Sequence, residues 1–157
     1  MPLIVWTARI DYGGADRFDV TRKGAAEARL AGRPAPGAPF APPKWLWDVV
    51  RARPGAAGRL PSQVRHPAEG EDVHGGSAWY AEAYTYAMRE SYRLHKAAWV
   101  DLLSRAEVTL VCYCVDPTRC HRTLLAGFLR RCGAILAGER ARPYPRPKAS
   151  DAQLPLL

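Results

Sequence analysis

Residues 3–8, Leu3-Ile4-Val5-Trp6-Thr7-Ala8, are almost continuously apolar and favour extended structure. That is the pattern of a strand covered on both faces, and it predicts a first strand over residues 3–9. A second run of this kind occupies residues 107–114 and is closed by Asp116-Pro117, which predicts a central strand. Between the two, Tyr80, Tyr84, Met88, Tyr92, Trp99 and Leu103 recur every three to four residues behind Ser77, a helix-capping type. This spacing predicts one long helix whose aromatic stripe is core. Past the central strand, Leu124, Leu125, Phe128, Leu129 and Cys132 share one helical face, and Gly133 stands where a glycine ends a helix. Residues 134–137 then read as a further short strand. Strand, short loop, helix and strand make a parallel crossover unit. The expected fold class is α/β, a Rossmann-like three-layer sandwich with a mainly parallel sheet in a single domain.

Proline interrupts this pattern. Eight prolines fall between positions 34 and 67, which excludes long regular structure there apart from a helical turn around residues 45–50. An insert of this length, about 33–68, either wraps a surface to cover a site or forms a mobile loop. The expected domain is 1–138 with this insert, followed by a basic, proline-rich tail over 139–157.

Composition narrows the classes of partner. The 157 residues are 48% hydrophobic and 24% charged, enough for one real core. No apolar run approaches the roughly 18 residues a membrane helix needs, and the first residues lack a signal-type pattern, so a cytoplasmic location away from membranes is expected. The net charge is +8, with the basic excess toward the two ends, which points to phosphate-bearing small molecules or nucleic acid as partners. Four cysteines without an export signal suggest reduced thiols, and three of them crowd into positions 112, 114 and 120.

The candidate chemistry sits where the central strand hands over to the helix, the place where open α/β sheets bind ligands and where a helix's free N–H groups attract anions. Cys120, His121 and Arg122 fall in that first turn. A thiol beside basic groups there can act as thiolate, an imidazole can move a proton, and a guanidinium can grip phosphate with two parallel bonds. These three are the candidate catalytic residues. Cys112, Cys114 and Asp116 are candidate ligand-binding residues from the same loop, with Cys112 and Cys114 also readable as small core residues. The Cys-x5-Arg loop of thiol phosphatases is not matched, since Arg119 follows Cys114 by five residues. Zinc bound by Cys112, Cys114, Cys120 and His121 is an alternative, but Cys-x-Cys followed by Cys-His departs from the usual knuckle spacing, so no metal or other cofactor is assigned.

The motif Leu110-Val111-Cys112, Asp116-Pro117 and Cys120-His121-Arg122, followed by Leu125-Ala126, resembles the bacterial and phage family catalogued as "domain of unknown function 488". Softer matches extend to Thr7-Ala8-Arg9, to residues 19–22 and 40–42, and to the Tyr- and Arg-bearing helix. One position departs: where many members carry Glu shortly after the first Cys, this chain has Cys114. The resemblance implies a Rossmann-like fold and a shared site, with no reaction to carry over. If the first and central strands are parallel neighbours, Thr7 and Arg9 approach the Cys-His-Arg turn, with Asp19, Thr21 and Arg22 as further ligand-binding candidates. Three functions compete: a phosphate-ligand site with thiol or acid–base chemistry, a non-catalytic basic nucleic-acid module, and a zinc-stabilised interaction protein.

Overall fold

The computed structural model describes residues 1–141. The two apolar runs form β1 (Ile4–Arg9) and β3 (Glu107–Cys112), parallel and directly paired, with Thr7 opposite Leu110 and Arg9 opposite Cys112. A short β2 (Arg17–Asp19) pairs with β3, and β4 (Ile135–Glu139) pairs with the other edge of β1. The sheet is four-stranded and all parallel, in the order β2-β3-β1-β4. The fold is therefore α/β, as the two runs and the crossover pattern imply. β4 extends to Glu139, past the division at residue 138 drawn from the sequence, and from position 142 the basic tail lies outside the described residues.

Alternation along the strands gives the sheet two unlike faces. Val5, Phe18, Val108 and Leu110 point into the core with residues of the helices. Trp6 and Thr109 point the other way, where the β1–β2 connection and Arg140 meet them. There Thr109 Oγ donates to Asp16, Tyr12 OH donates to Asp16 at 2.6 Å, Arg140 bonds Asp16 at 2.9 Å, and its guanidinium lies 4.6 Å from the Trp6 ring.

The long helix expected over residues 77–103 is two helices, α3 (Ala78–Leu94) and α4 (Lys96–Ser104), broken at His95. The break turns Trp99 back toward the core, where its ring packs 5.0 Å from Phe40 and its indole N–H bonds Ser91 Oγ at 3.1 Å. Tertiary packing overrides the continuous helical period. The sequence pattern also passed over α1 (Arg22–Leu30), which buries no residue and so has no apolar stripe to read. Its signal is local: Thr21 caps it by accepting Gly24 N–H at 2.9 Å.

The proline-rich insert carries α2 (Lys44–Val50), the helical turn expected there. α3 fastens the insert by side chains that reach its backbone: Tyr84 OH donates to the Phe40 carbonyl at 2.8 Å, Ser91 Oγ to that of Pro39, and Trp79 Nε1 to that of Arg65 at 2.9 Å. These bonds satisfy carbonyls that a segment without regular structure leaves unpaired. They favour the covering role of the insert over the mobile loop.

Candidate functional site

β3 ends at Cys112, two residues earlier than the sequence run suggests, and leaves Cys114 in the loop. Asp116 Oδ1 accepts from Thr118 N–H at 2.9 Å and Thr118 Oγ at 2.6 Å, which folds Pro117–Arg119 into a single 3-10 turn. Cys120 then stands at the N-cap of α5 (His121–Arg131), the helix read from the apolar face around Leu125 and Leu129. This turn is braced from outside by Gly75 and Gly76. A Cβ on Gly75 would overlap the Arg119 carbonyl oxygen, and Gly76 has a φ of +92°, so both positions call for glycine.

The sulfur atoms gather at this junction. Cys112 Sγ lies 3.8 Å from Cys114 Sγ and 3.8 Å from His121 Nδ1. The donor atoms of Cys112, Cys120 and His121 all lie within 4.8 Å of one another, and all three residues are buried. His121 Nε2 faces the Val20 carbonyl at 2.9 Å, so it carries the proton and Nδ1 presents its lone pair to the cysteines. Burial holds the His121 pKa below its ordinary value, which keeps the imidazole neutral. Tyr84, the middle of the aromatic stripe, packs its ring 5.7 Å from the imidazole. Hydrogen bonds from Cys112 and Cys120 hold the Cys114 thiol well below its usual range, helped by His121 and Arg122. Its bond to Cys114 pushes Cys112 up to about 11, and Cys120 is raised by both neighbours and by burial. Among the three thiols, these neighbours favour the thiolate at Cys114 over Cys112 and Cys120. The sequence places the favoured thiolate on Cys120 at the helix N-terminus; Cys120 is instead only 2% exposed with its pKa raised, and Cys114 is half-buried.

Arg122 is also placed differently from a residue that grips a ligand. It is fully buried, and its guanidinium donates to the Cys114 carbonyl at 2.8 Å, to Cys120 Sγ at 3.4 Å and to Glu139 at 2.8 Å. The other carboxylate oxygen of Glu139 accepts from Thr7 Oγ. Burial works against the arginine's charge, and Glu139 more than restores it. Arg122 therefore ties the site loop to β1 and β4. Thr7 joins this network through the β1–β4 pairing that sets it opposite Glu139, and Arg9 ends β1 opposite Cys112 with its Nε buried and without a partner among the described residues. Glu139 is the residue the sequence missed, because only the β1–β4 register brings it opposite Thr7. Asp19 and Asp116 spend their carboxylates on local turns: Asp19 Oδ1 accepts from Thr21 N–H at 2.9 Å and Thr21 Oγ at 2.6 Å. Arg22 bonds the Pro42 carbonyl at 3.0 Å and stands at the cleft described next.

A cleft of about 210 Å³ opens above the cysteines. Leu46, Trp47 and Val50 of the insert, with Tyr80 and Tyr113, form largely apolar walls; Arg22, Lys23 and Arg119 supply cations; Cys112, Cys114 and His121 lie at its base. Trp47 and Tyr113 are exposed, and Lys23 Nζ sits 5.5 Å from the Tyr113 ring. A larger hollow of about 460 Å³ lies between α1, the insert and α3, but none of the cysteines reaches it. The chemistry selects the smaller cleft.

No helix among the described residues is long and apolar enough to cross a membrane. No curated protein and no solved structure matches the chain. The family model described as "DUF488-N3a: Active DUF488-N3 subclade" matches residues 60–133. That stretch runs from the end of the insert through α3, α4, β3 and α5 and contains Cys112, Cys114, Cys120, His121 and Arg122. Over these residues the chain is similar to the DUF488 family, the one its Cys-His-Arg motif resembles.

Proposed function

We propose that the cleft binds a nucleotide, a phosphate-bearing ligand with a flat body, above the Cys/His cluster. The observation that carries this reading is the composition of one 210 Å³ cleft: aromatic and aliphatic walls, three cations and a sulfur–imidazole base. Trp47 and Tyr113 offer faces on which a base stacks, and Lys23 and Arg119 offer charge to its phosphates. The position beyond the carboxyl ends of parallel strands supports the same reading. Of the groups at the base, Cys114 is the half-buried thiol left to meet a ligand seated there. Arg122 serves as a positioning residue. The test is calorimetric titration with mononucleotides: Arg119→Ala combined with Lys23→Ala weakens binding by roughly ten- to hundredfold, while Cys132→Ser leaves it unchanged. Absence of mononucleotide binding by the unaltered chain, or equal affinity in the double variant, removes the reading.

The +8 charge favours a second reading, a basic module that holds nucleic acid through its carboxyl-terminal residues. In that case Arg142→Ala with Arg146→Ala lowers the salt dependence of oligonucleotide binding, and the cleft variants leave it untouched.

A further inference from the structure

We infer that Cys112 Sγ, Cys120 Sγ and His121 Nδ1 form a zinc site at the base of the cleft, with its fourth coordination position open to the cleft. The inference goes beyond the ligand reading and stands whether or not a nucleotide binds. Zinc takes sulfur at about 2.3 Å and imidazole nitrogen at about 2.0–2.1 Å, so neighbouring ligand atoms of a tetrahedron stand roughly 3.5–3.8 Å apart. The Cys112 Sγ to His121 Nδ1 separation is 3.8 Å, and all three donor atoms already lie within 4.8 Å of one another. Closing on an ion asks for about an ångström of movement or less.

Three further features match what a bound cation requires. The Val20 carbonyl fixes the His121 tautomer from the far nitrogen, the outer-shell bond that metal-bound imidazoles keep, and leaves Nδ1 as the coordinating atom. The Arg122 guanidinium donates to Cys120 Sγ, which suits a thiolate better than a thiol. The ion with two thiolates and a neutral imidazole has no net charge, and the Arg122–Glu139 pair beside it is balanced, so neither leaves an uncompensated charge in a buried place. Binding breaks two S–H bonds, forms two Zn–S bonds and releases two protons to solvent. Three protein ligands with one open position is the arrangement of zinc sites that act on a ligand, in contrast to closed structural sites. Cys112 and His121 line the cleft, which is where that open position falls, beside Cys114.

The experiment titrates the full, reduced, metal-stripped chain with Co²⁺ and then with Zn²⁺. The expected result is one equivalent of Co²⁺ bound, with thiolate-to-cobalt charge-transfer absorption and intense tetrahedral bands, displaced by Zn²⁺. Cys112→Ser and His121→Gln lose saturable binding with their circular dichroism unchanged; Cys114→Ser and Cys132→Ser keep it. Since the first two variants could fail to fold, X-ray absorption on the zinc form of the unaltered chain provides a second reading, with two sulfur and two lighter neighbours expected. A folded unaltered chain that binds no Co²⁺, a four-sulfur shell, or loss of the metal in Cys114→Ser each overturns the assignment. Repeating the mononucleotide titration on the metal-stripped chain separates the two ideas, because nucleotide binding there without any affinity for zinc leaves the cleft reading standing and this one fallen.

Discussion

Arg122 shows what a single side chain contributes when it is sealed inside the fold. Its charge is matched by Glu139, so Glu139→Ala leaves a buried cation with fewer partners, and the expected loss is about 3 kcal/mol in chemical denaturation. Arg122→Lys retains the charge but not the fork that reaches both Glu139 and the Cys114 carbonyl, and costs about 1.5–3 kcal/mol by the same measurement. Asp16 offers a pH-dependent counterpart. Burial pushes its pKa up, but bonds from Thr109, Tyr12 and Arg140 outweigh this and leave it lowered. A carboxylate with a depressed folded pKa contributes stability above its unfolded value and loses it as pH falls through the folded one. Asp16→Asn is therefore expected to be less stable by about 1.5–3 kcal/mol near neutrality, and the gap closes in denaturation curves taken below about pH 4. A gap that persists in acid would show that the carboxylate's charge is not the source.

Helices and turns place these residues, and their ends carry the signals. Thr21→Ala removes the cap of α1 and is expected to cost about 1 kcal/mol, read as a lower thermal midpoint. Its effect on ligand affinity should be small, because the hydroxyl is spent on Asp19 and the Gly24 N–H. Gly75→Ala behaves differently: the added methyl meets the Arg119 carbonyl, pushes on the turn that sets Cys120, and should weaken cobalt or mononucleotide binding more than it lowers the thermal midpoint. The break at His95 also belongs to this scale. A continuous helix satisfies the local period, yet it would carry Trp99 away from Phe40 and from the Ser91 hydroxyl that accepts its N–H.

At the scale of the whole molecule, the insert is part of the site because α3 holds it there. Tyr84→Phe removes the bond to the Phe40 carbonyl at a cost of about 1 kcal/mol, and limited proteolysis should then cut first within residues 33–68. By itself, the sequence determined the α/β class, β1, β3, α5 and the Cys-His-Arg turn. These rest on local hydrophobic periodicity and on residue types that mark strand ends and helix starts, and neighbouring residues carry both. It did not show α1, which has no buried face, nor β2, three residues long and held by pairing with β3. Tertiary structure alone set the three thiols apart, because Cys112, Cys114 and Cys120 differ in burial and in the neighbours that donate to them, not in chemical type. It also turned Arg122 inward, since Glu139 comes within reach only when β4 pairs with β1. Contacts between residues distant in sequence depend on strand order and register, and no local pattern encodes them.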